Sequence, residues 1–374
     1  MHHVTDLAIE LLRRASLTPD DAGCQDWMEK TLAPFGFIRT HIDIGGVTNS
    51  IFFRPGEKPG TLAFAGHTDV VPTGPLTRWS FDPFSAHTDD NNILHGRGAQ
   101  DMKGAIAAWM QALMHLIQRG EPLPAMQLLI TSDEEGESID GTIRIVEYLE
   151  KKQWLPNAVI VGEPSCAKEV GDTIRRGRRG VVQAHILFHG KQGHSAYPAD
   201  ADNAIHHAMP ALDRIANIHW GEPADGFPPT SCQITNVKGG TGATNIIPGQ
   251  CEAWVDIRYN PSISFEQIST LLHACCGDTN ATLNINHVAE AFSTPSGPFI
   301  EHVAHAIAAV TGIKTLRDTG GGTSDGRFLA KAGIAVVELG LTNRTIHQIN
   351  EQVAIDELIT LTQIYIHIIQ HFEA

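Results

Sequence analysis

Four short runs of this chain leave few choices of fold. Thr61-Leu-Ala-Phe-Ala65, Met126-Gln-Leu-Leu-Ile-Thr131, Ala158-Val-Ile-Val161 and Ile334-Ala-Val-Val337 are apolar almost throughout and lie between stretches of helical periodicity. A strand with one wet face alternates polar and apolar residues, whereas a strand covered on both faces does not. The runs therefore read as central strands of a mostly parallel sheet flanked by helices, an α/β architecture. The clearest helix follows Asp101, where Ile106, Trp109, Met110, Leu113, Leu116 and Ile117 recur at three- and four-residue spacing. Gly120 and Pro122 supply its stop. A first helix is expected over Asp6 to Arg14. A last one is expected from about Asp356, with Leu358, Leu361, Tyr365, Ile368 and Ile369 along one face.

The middle of the chain has a different rhythm. Strand patterns at Val181 to His189, Ser231 to Val237, Cys251 to Tyr259 and Ala281 to Val288 are interleaved with helical patterns at Asn203 to Ile218 and Phe265 to Cys275. The order β-α-β-β-α-β predicts a ferredoxin-like α+β sandwich. The chain is accordingly read as a catalytic domain of residues 1–180 and 292–374, interrupted by an inserted domain of residues 181–291, with a hinge expected near 180 and 291.

Bulk composition excludes several classes of function. A chain of 374 residues with 42% hydrophobic content can bury a sizeable core in two or three domains. The formal net charge of −15 argues against nucleic acid and anionic membrane as partners, since both require a basic surface. No apolar run approaches the ~18–20 residues of a membrane helix. Met1 to Glu10 lacks a basic segment followed by an apolar core, so no signal peptide is expected. The six cysteines form no C-x-x-C pair, which favours reduced thiols and a cytoplasmic location, and leaves histidine and carboxylate as the ligands for any metal.

The polar residues that end the apolar runs carry the chemistry. The first run meets Gly66-His-Thr-Asp69, the second Ser132-Asp-Glu-Glu-Gly136 and the third Gly162-Glu-Pro164. Ligands of open α/β sheets bind beyond the carboxyl ends of the strands. Asp101 arrives from the start of the long helix, and His347 lies between the fourth strand and the last helix. If His67, Asp101, Glu135, Glu163 and His347 share one site, their three carboxylates bring −3, which cannot stay ionised when desolvated without cations. Two Zn²⁺ and one hydroxide bring the sum to zero. Mixed histidine and carboxylate ligands suit zinc, and hydrolytic metal pairs lie ~3.5–4 Å apart. Asp101 is the natural bridge, Asp69 is placed to fix the tautomer of His67, and Glu134 is free to act as a general base.

Gly66-His-Thr-Asp-Val-Val-Pro72, Gly96-Arg-Gly-Ala-Gln-Asp-Met-Lys-Gly104, Ser132-Asp-Glu-Glu-Gly136 and Val161-Gly-Glu-Pro-Ser165 resemble the signatures of the di-zinc aminoacylase and carboxypeptidase (zinc exopeptidase) family. The resemblance spans essentially the whole chain. It implies a zinc-exopeptidase-like catalytic domain with an inserted dimerisation domain, and amide hydrolysis of a small N-acyl amino acid. It also implies two Zn²⁺ per subunit, with Co²⁺ as a substitute. The metal ligands it implies are His67, Asp101, Glu135, Glu163 and His347, and the catalytic residues are Glu134 and Asp69. Gly177-Arg-Arg-Gly180, Gly193-His-Ser-Ala-Tyr-Pro198, Gly321-Gly-Thr-Ser-Asp-Gly-Arg-Phe328 and Ile346-His-Gln-Ile-Asn350 are most similar to those members that remove a succinyl group from an N-succinyl amino acid.

Such a substrate carries several carboxylates. Arg178 and Arg258 could pair with them in bidentate fashion, and Gly321, Gly322, Thr323 and Ser324 form a candidate anion-binding turn. The resemblance adds Tyr197, Asn245 and Asn343 as substrate contacts. It further implies a homodimer through the inserted domain, with His194 reaching across to polarise the scissile carbonyl. Two segments depart from the family pattern. Ala199-Asp-Ala-Asp-Asn203 follows Tyr197-Pro198, and Val181, which offers no side-chain donor, stands where a serine is common. The competing readings are a related enzyme such as an acetylornithine deacetylase or zinc carboxypeptidase, a metal-binding protein without catalysis, and an unrelated acidic binding module.

Overall fold

The computed structural model describes residues 3–224 and 226–373; Met1 and His2, included in the N-terminal reading above, lie outside the described residues. The chain forms two compact units. The first holds residues up to Gly177, Thr294–Asp318 and Ser324 onward, and the second holds Arg178–Ser293 with Thr319–Thr323.

The first unit is built on an eight-stranded sheet. Its order is Ile38–His41, Ser50–Arg54, Ala125–Thr131, Thr61–His67, Ala158–Val161, Ala335–Glu338, Thr173–Arg175, Leu316–Asp318. The four runs picked out by their continuous apolarity are its four central strands and run parallel to one another. The flanking hairpin of Ile38–His41 and Ser50–Arg54 is antiparallel. It escaped the pattern reading because Ile38–His41 is a half-exposed edge with no apolar run. Thr173–Arg175 and Leu316–Asp318 are only three residues each, too short to carry a periodicity.

Helix Lys103–Gln118 is buried on nearly every side. Besides the predicted apolar face, Ala105, Ala107, Ala108 and Ala112 are fully buried. Small residues on its second face let helices Val4–Leu12 and Ile355–Gln370 pack close, so the helix sits inside the layer rather than on its surface. Phe64 of the sheet stacks on Trp109 with ring centroids 5.0 Å apart, and Tyr365 meets both rings edge-on at 6.1 and 5.0 Å. Offset and edge contacts of this kind are the favoured aromatic geometries. The first helix begins earlier than its apolar pattern indicates, at Val4, because Asp6 accepts the His3 N–H at 3.2 Å and closes a capping box.

The second unit contains a four-stranded antiparallel sheet in the order Ser231–Gly239, Gln250–Tyr259, Gly180–His189, Ala281–Ala289. Val182, Ala184, Ile186 and Phe188 point to one face with Cys251, Ala253, Val255, Ile257 and Tyr259. Helices Ala204–Ala216 and Phe265–Cys276 cover that face through Ala204, Ala208, Ala211, Ile215, Ile268 and Leu272. This is the ferredoxin-like arrangement the element order predicts. All six cysteines are unpaired, and burial pushes the Cys232 and Cys276 thiols up to about 11, which leaves them protonated and unreactive at neutral pH. Among the described residues no helix is long and apolar enough to cross a membrane.

Trp109→Ala should cost about 3–5 kcal/mol, since it empties the largest fully buried side chain between sheet and helices. Urea unfolding checks this. A loss under 1 kcal/mol would mean that the aromatic stack is not part of a tightly packed core.

Candidate metal centre

Parallel register brings the chemistry to one edge of the first unit. His67 pairs with Thr131 and Ala65 with Val161, so the strands end nearly level. The chain beyond each end then supplies Glu134 and Glu135, Glu163, and, after the fourth strand, His347. Gly162 is required where the third strand ends, because a Cβ there would lie 2.4 Å from Phe64 and 2.5 Å from Met102. The Glu134–Glu135 turn is held by the Asp69 carboxylate, which accepts the Glu134 N–H at 3.2 Å and the Glu135 N–H at 3.1 Å. Asp133 turns away from the site and accepts the N–H groups of Ser138, Ile139 and Asp140 at 3.2 Å each, closing the same loop.

The seven residues proposed for metal binding and catalysis gather around Asp101. His67 is 1% exposed. Its Nδ1–H donates to the Asp69 carbonyl oxygen at 2.9 Å, which directs Nε2 towards Asp101 Oδ1 at 3.3 Å, Glu163 Oε1 at 3.5 Å and Glu134 Oε2 at 4.0 Å. The tautomer is thus set chiefly by the Asp69 backbone, because the Asp69 carboxylate is 3.6 Å away and committed to the 134–135 amides. On the other side of Asp101, His347 Nε2 lies 3.3 Å from Oδ2 and 2.9 Å from Glu135 Oε1. One carboxylate therefore offers one oxygen to each histidine.

The donor set fits divalent cations. Potential ligand atoms of His67, Asp101 and Glu135 lie within 4.8 Å of one another, as do those of His67, Glu134 and Glu163. His67 Nε2 and Asp101 Oδ1 are buried and misaligned for a hydrogen bond, so each is an orphaned polar atom. Leaving such atoms unsatisfied costs about 1–3 kcal/mol each, and a cation placed between them satisfies both. Electrostatics point the same way. Contacts with Asp101 and Glu135 push His347 up to about 10. His67 is raised well above the ordinary imidazole range: burial opposes its charge, but Asp101, Asp69 and Glu163 outweigh burial. Burial also acts against the Asp101 carboxylate, yet the two histidines hold it below the usual range. Glu134 is raised well above the usual carboxylate range by burial and by repulsion from Glu163. The cluster attracts positive charge, as a site for two cations must.

The substrate-contact candidates are distributed unevenly. In the second unit, Arg178 is buried and donates from Nη1 to the Gly322 carbonyl at 3.2 Å and the Gly320 carbonyl at 3.4 Å. That guanidinium and the turn containing Thr323 therefore form one local assembly. His194, Tyr197 and Asn245 are exposed neighbours: the ring centroids of His194 and Tyr197 are 5.8 Å apart, and Ser195 N–H donates to the Asn245 carbonyl at 3.0 Å. Arg258 differs from the expectation of an open carboxylate receptor, because Asp256 engages its Nε at 2.7 Å and its Nη2 at 3.3 Å. In the first unit, Ser324 is 1% exposed and its hydroxyl donates to Glu338, so it serves the turn rather than presenting a free donor. Asn343 is half-buried and its backbone N–H donates to the Cys166 carbonyl at 2.9 Å.

Two further residues belong to this centre: Glu351 lies outside every motif singled out above, and Asp325 lies inside the 321–328 run but has no role of its own there. Glu351 is buried against the backbone of the loop that presents Asp101. Asp325 is 5% exposed, neither of its carboxylate oxygens has a hydrogen-bond partner, and burial raises it to about 6.

The chain matches the model of peptidase family M20/M25/M40 over residues 63–371. It is 45% identical to a succinyl-diaminopimelate desuccinylase of Hahella chejuensis, covering 98% of this chain and 96% of that protein. It is 44% identical to another of Thioalkalivibrio sulfidiphilus, covering 99% of both. Among solved structures, it is similar to the M20 family metallo-carboxypeptidase Sso-CP2 from Sulfolobus solfataricus, with a TM-score of 0.80 at 18% identity over 99% of both chains. A Bacillus subtilis protein described as a dinuclear metal-binding peptidase of the M20 family superposes with a TM-score of 0.71 at 16% identity, covering 98% of this chain and 96% of that one.

Protons and metal ions compete for the histidine nitrogens. With His347 raised to about 10, metal loading of chelator-stripped protein at pH 7 should release protons. The sign for stability follows: in stripped protein, the His347 pairing contributes fully below the unfolded value near 6.5 and is lost as pH rises through about 10. Calorimetry in buffers of different ionisation enthalpy measures the release; metal uptake with no proton release would contradict the assignment of His347.

Proposed function

This chain belongs to the M20/M25/M40 peptidase family, and on that premise we propose that it hydrolyses N-succinyl-LL-2,6-diaminopimelate to succinate and LL-2,6-diaminopimelate, a step of lysine and cell-wall precursor synthesis. The observation that carries the hydrolytic reading is the Asp101 carboxylate set between His67 and His347 at 3.3 Å each, with half-buried Glu134 4.0 Å from His67 Nε2. The near full-length similarity to desuccinylases supports the choice of substrate.

In this reading His67, Asp101, Glu135, Glu163 and His347 would hold two Zn²⁺, for which Co²⁺ could substitute, with one Asp101 oxygen available on the His67 side and the other on the His347 side. When bound, the ions would supply Lewis acidity to the scissile carbonyl and to water. Glu134 takes a proton from the attacking water. The water oxygen bonds to the succinyl carbonyl carbon, the C–N bond breaks, and Glu134 passes its proton to the departing amine nitrogen. Burial and the nearby Glu163 charge raise the proton affinity of Glu134, which suits a carboxylate that must hold a proton between the two transfers. Asp69 fixes the Glu134 backbone through the amides it accepts and orients His67 through its carbonyl.

The reading assigns substrate carboxylates to Arg178 and Arg258, with Tyr197, Asn245, Asn343, Gly322 and Thr323 as further contacts, while Ser324 holds the turn through Glu338. The pairing of Asp256 with Arg258 then orients that guanidinium rather than leaving it mobile. The second unit is assigned to pairing two copies of the chain, which would bring His194 of one copy to the carbonyl bound by the other. A cytoplasmic location fits a biosynthetic enzyme with six unpaired cysteines.

Assays of succinyl-diaminopimelate against acetylornithine on zinc-loaded protein should give faster turnover of the succinyl substrate; preference for acetylornithine would reverse the assignment. Glu134→Gln should lower kcat by about 10²–10⁴-fold with two zinc ions still bound by elemental analysis. Activity near wild type would remove Glu134 from the role of base.

A further inference from the structure

We propose that Glu351 is a positioning residue of the metal centre: its carboxylate ties the loop that carries Asp101 to the loop that carries His347 and so sets the spacing of those two ligands. The inference rests on the dinuclear reading above. Glu351 Oε1 accepts the N–H groups of Gln100 at 2.9 Å and Asp101 at 3.1 Å. Its Oε2 accepts Gly98 N–H at 3.0 Å and Arg97 Nη1 at 2.8 Å. The Glu351 carbonyl accepts Gly96 N–H at 3.0 Å. One fully buried side chain therefore holds the backbone amides of residues 98, 100 and 101, including that of Asp101 itself, and the Arg97 guanidinium beside them.

A buried carboxylate is costly unless it is paired and hydrogen-bonded. Here both oxygens have two donors, and Arg97 supplies the countercharge. Arg97 in turn donates to the carbonyls of Gln348 at 3.1 Å and Pro72 at 3.4 Å and lies over the Trp79 ring. A second stitch joins the same loops. Gln100 Nε2 donates to Thr342 Oγ1 at 2.8 Å, while Gln100 Oε1 accepts the Thr345 N–H at 2.8 Å and the Thr345 hydroxyl at 2.6 Å.

The loop being held needs holding. His347 and Asn350 both have positive φ, 59° and 63°, a region that few non-glycine residues occupy, although histidine and asparagine enter it more readily than most. Glu351 follows directly, so its anchoring to the 97–101 loop restrains this segment on one side, and the Gln100–Thr345 bonds restrain it on the other. Asp101 must keep Oδ1 on His67 and Oδ2 on His347 at the same time. Supporting hydrogen bonds of this kind orient metal ligands, and their loss commonly weakens metal affinity about 10–100-fold. A glutamine at 351 would preserve shape but set its NH₂ against two N–H donors.

Chelator-stripped wild type and Glu351→Gln are titrated with Co²⁺, followed by calorimetry and visible absorption. The wild type should take up two ions. Glu351→Gln should bind one of them about 10–100-fold more weakly, with altered cobalt bands. A residue that only stabilised the fold would lower Tm and leave cobalt affinity and spectrum unchanged, and that result overturns the proposal. If Glu351→Gln does not fold, Gln100→Met cuts the second stitch without touching Glu351. It should weaken the same ion, and unchanged affinity there also overturns the proposal. Wild-type protein that bound no cobalt would instead refute the dinuclear reading itself, so the two failures are distinguishable.

Discussion

Asp101, Glu134, Glu135 and Glu163 crowd around two histidines at one edge of a sheet, and the repulsion among these carboxylates is what the surrounding structure has to manage. In water such a group of anions would spread apart. Crowded together and partly shielded from water, they can be compensated in few ways, by protons or by cations. The structure carries the signature of that demand: His67 and His347 are both driven towards the charged form, and Glu134 is driven towards the neutral one. A dinuclear metal centre would turn the same demand to use, because ions that neutralised the cluster could also activate water beside a carboxylate able to carry its proton.

Holding like charges together requires a stiff frame. Parallel register delivers His67, the 134–135 turn and Glu163 to one level. The Phe64, Trp109 and Tyr365 stack locks the sheet to the helix that begins just after Asp101. Asp69 pins the Glu134–Glu135 amides, and Glu351 pins the Gln100 and Asp101 amides. The two carboxylates do the same work at two different loops, each accepting the backbone N–H groups of residues that border the site.

Much of this was legible in the residues. Strands buried on both faces must be apolar throughout, so Phe64, Leu128 and Ile160 announced the central sheet, and the polar residue that stops each run had to lie at its carboxyl end. The alternation of Cys251, Ala253, Val255 and Ile257 likewise announced a sheet covered on one face. The rest depended on contacts between distant segments. Nothing in the spacing of Glu351 says that it returns to residues 97–101, some 250 positions earlier in the chain. The alanine face of helix Lys103–Gln118 looks neutral until the helices that fill it are seen. Arg258 and Ser324 have the right chemistry for a substrate anion, but only the fold shows that Asp256 and Glu338 already engage them.

Anomalous X-ray scattering at the zinc edge from crystals of zinc-loaded protein tests the central claim most directly. The account predicts two peaks, one on each side of the Asp101 carboxylate, with His67 and Glu163 around one and Glu135 and His347 around the other. A map with no peak at Asp101, or with zinc bound only elsewhere on the chain, would contradict it.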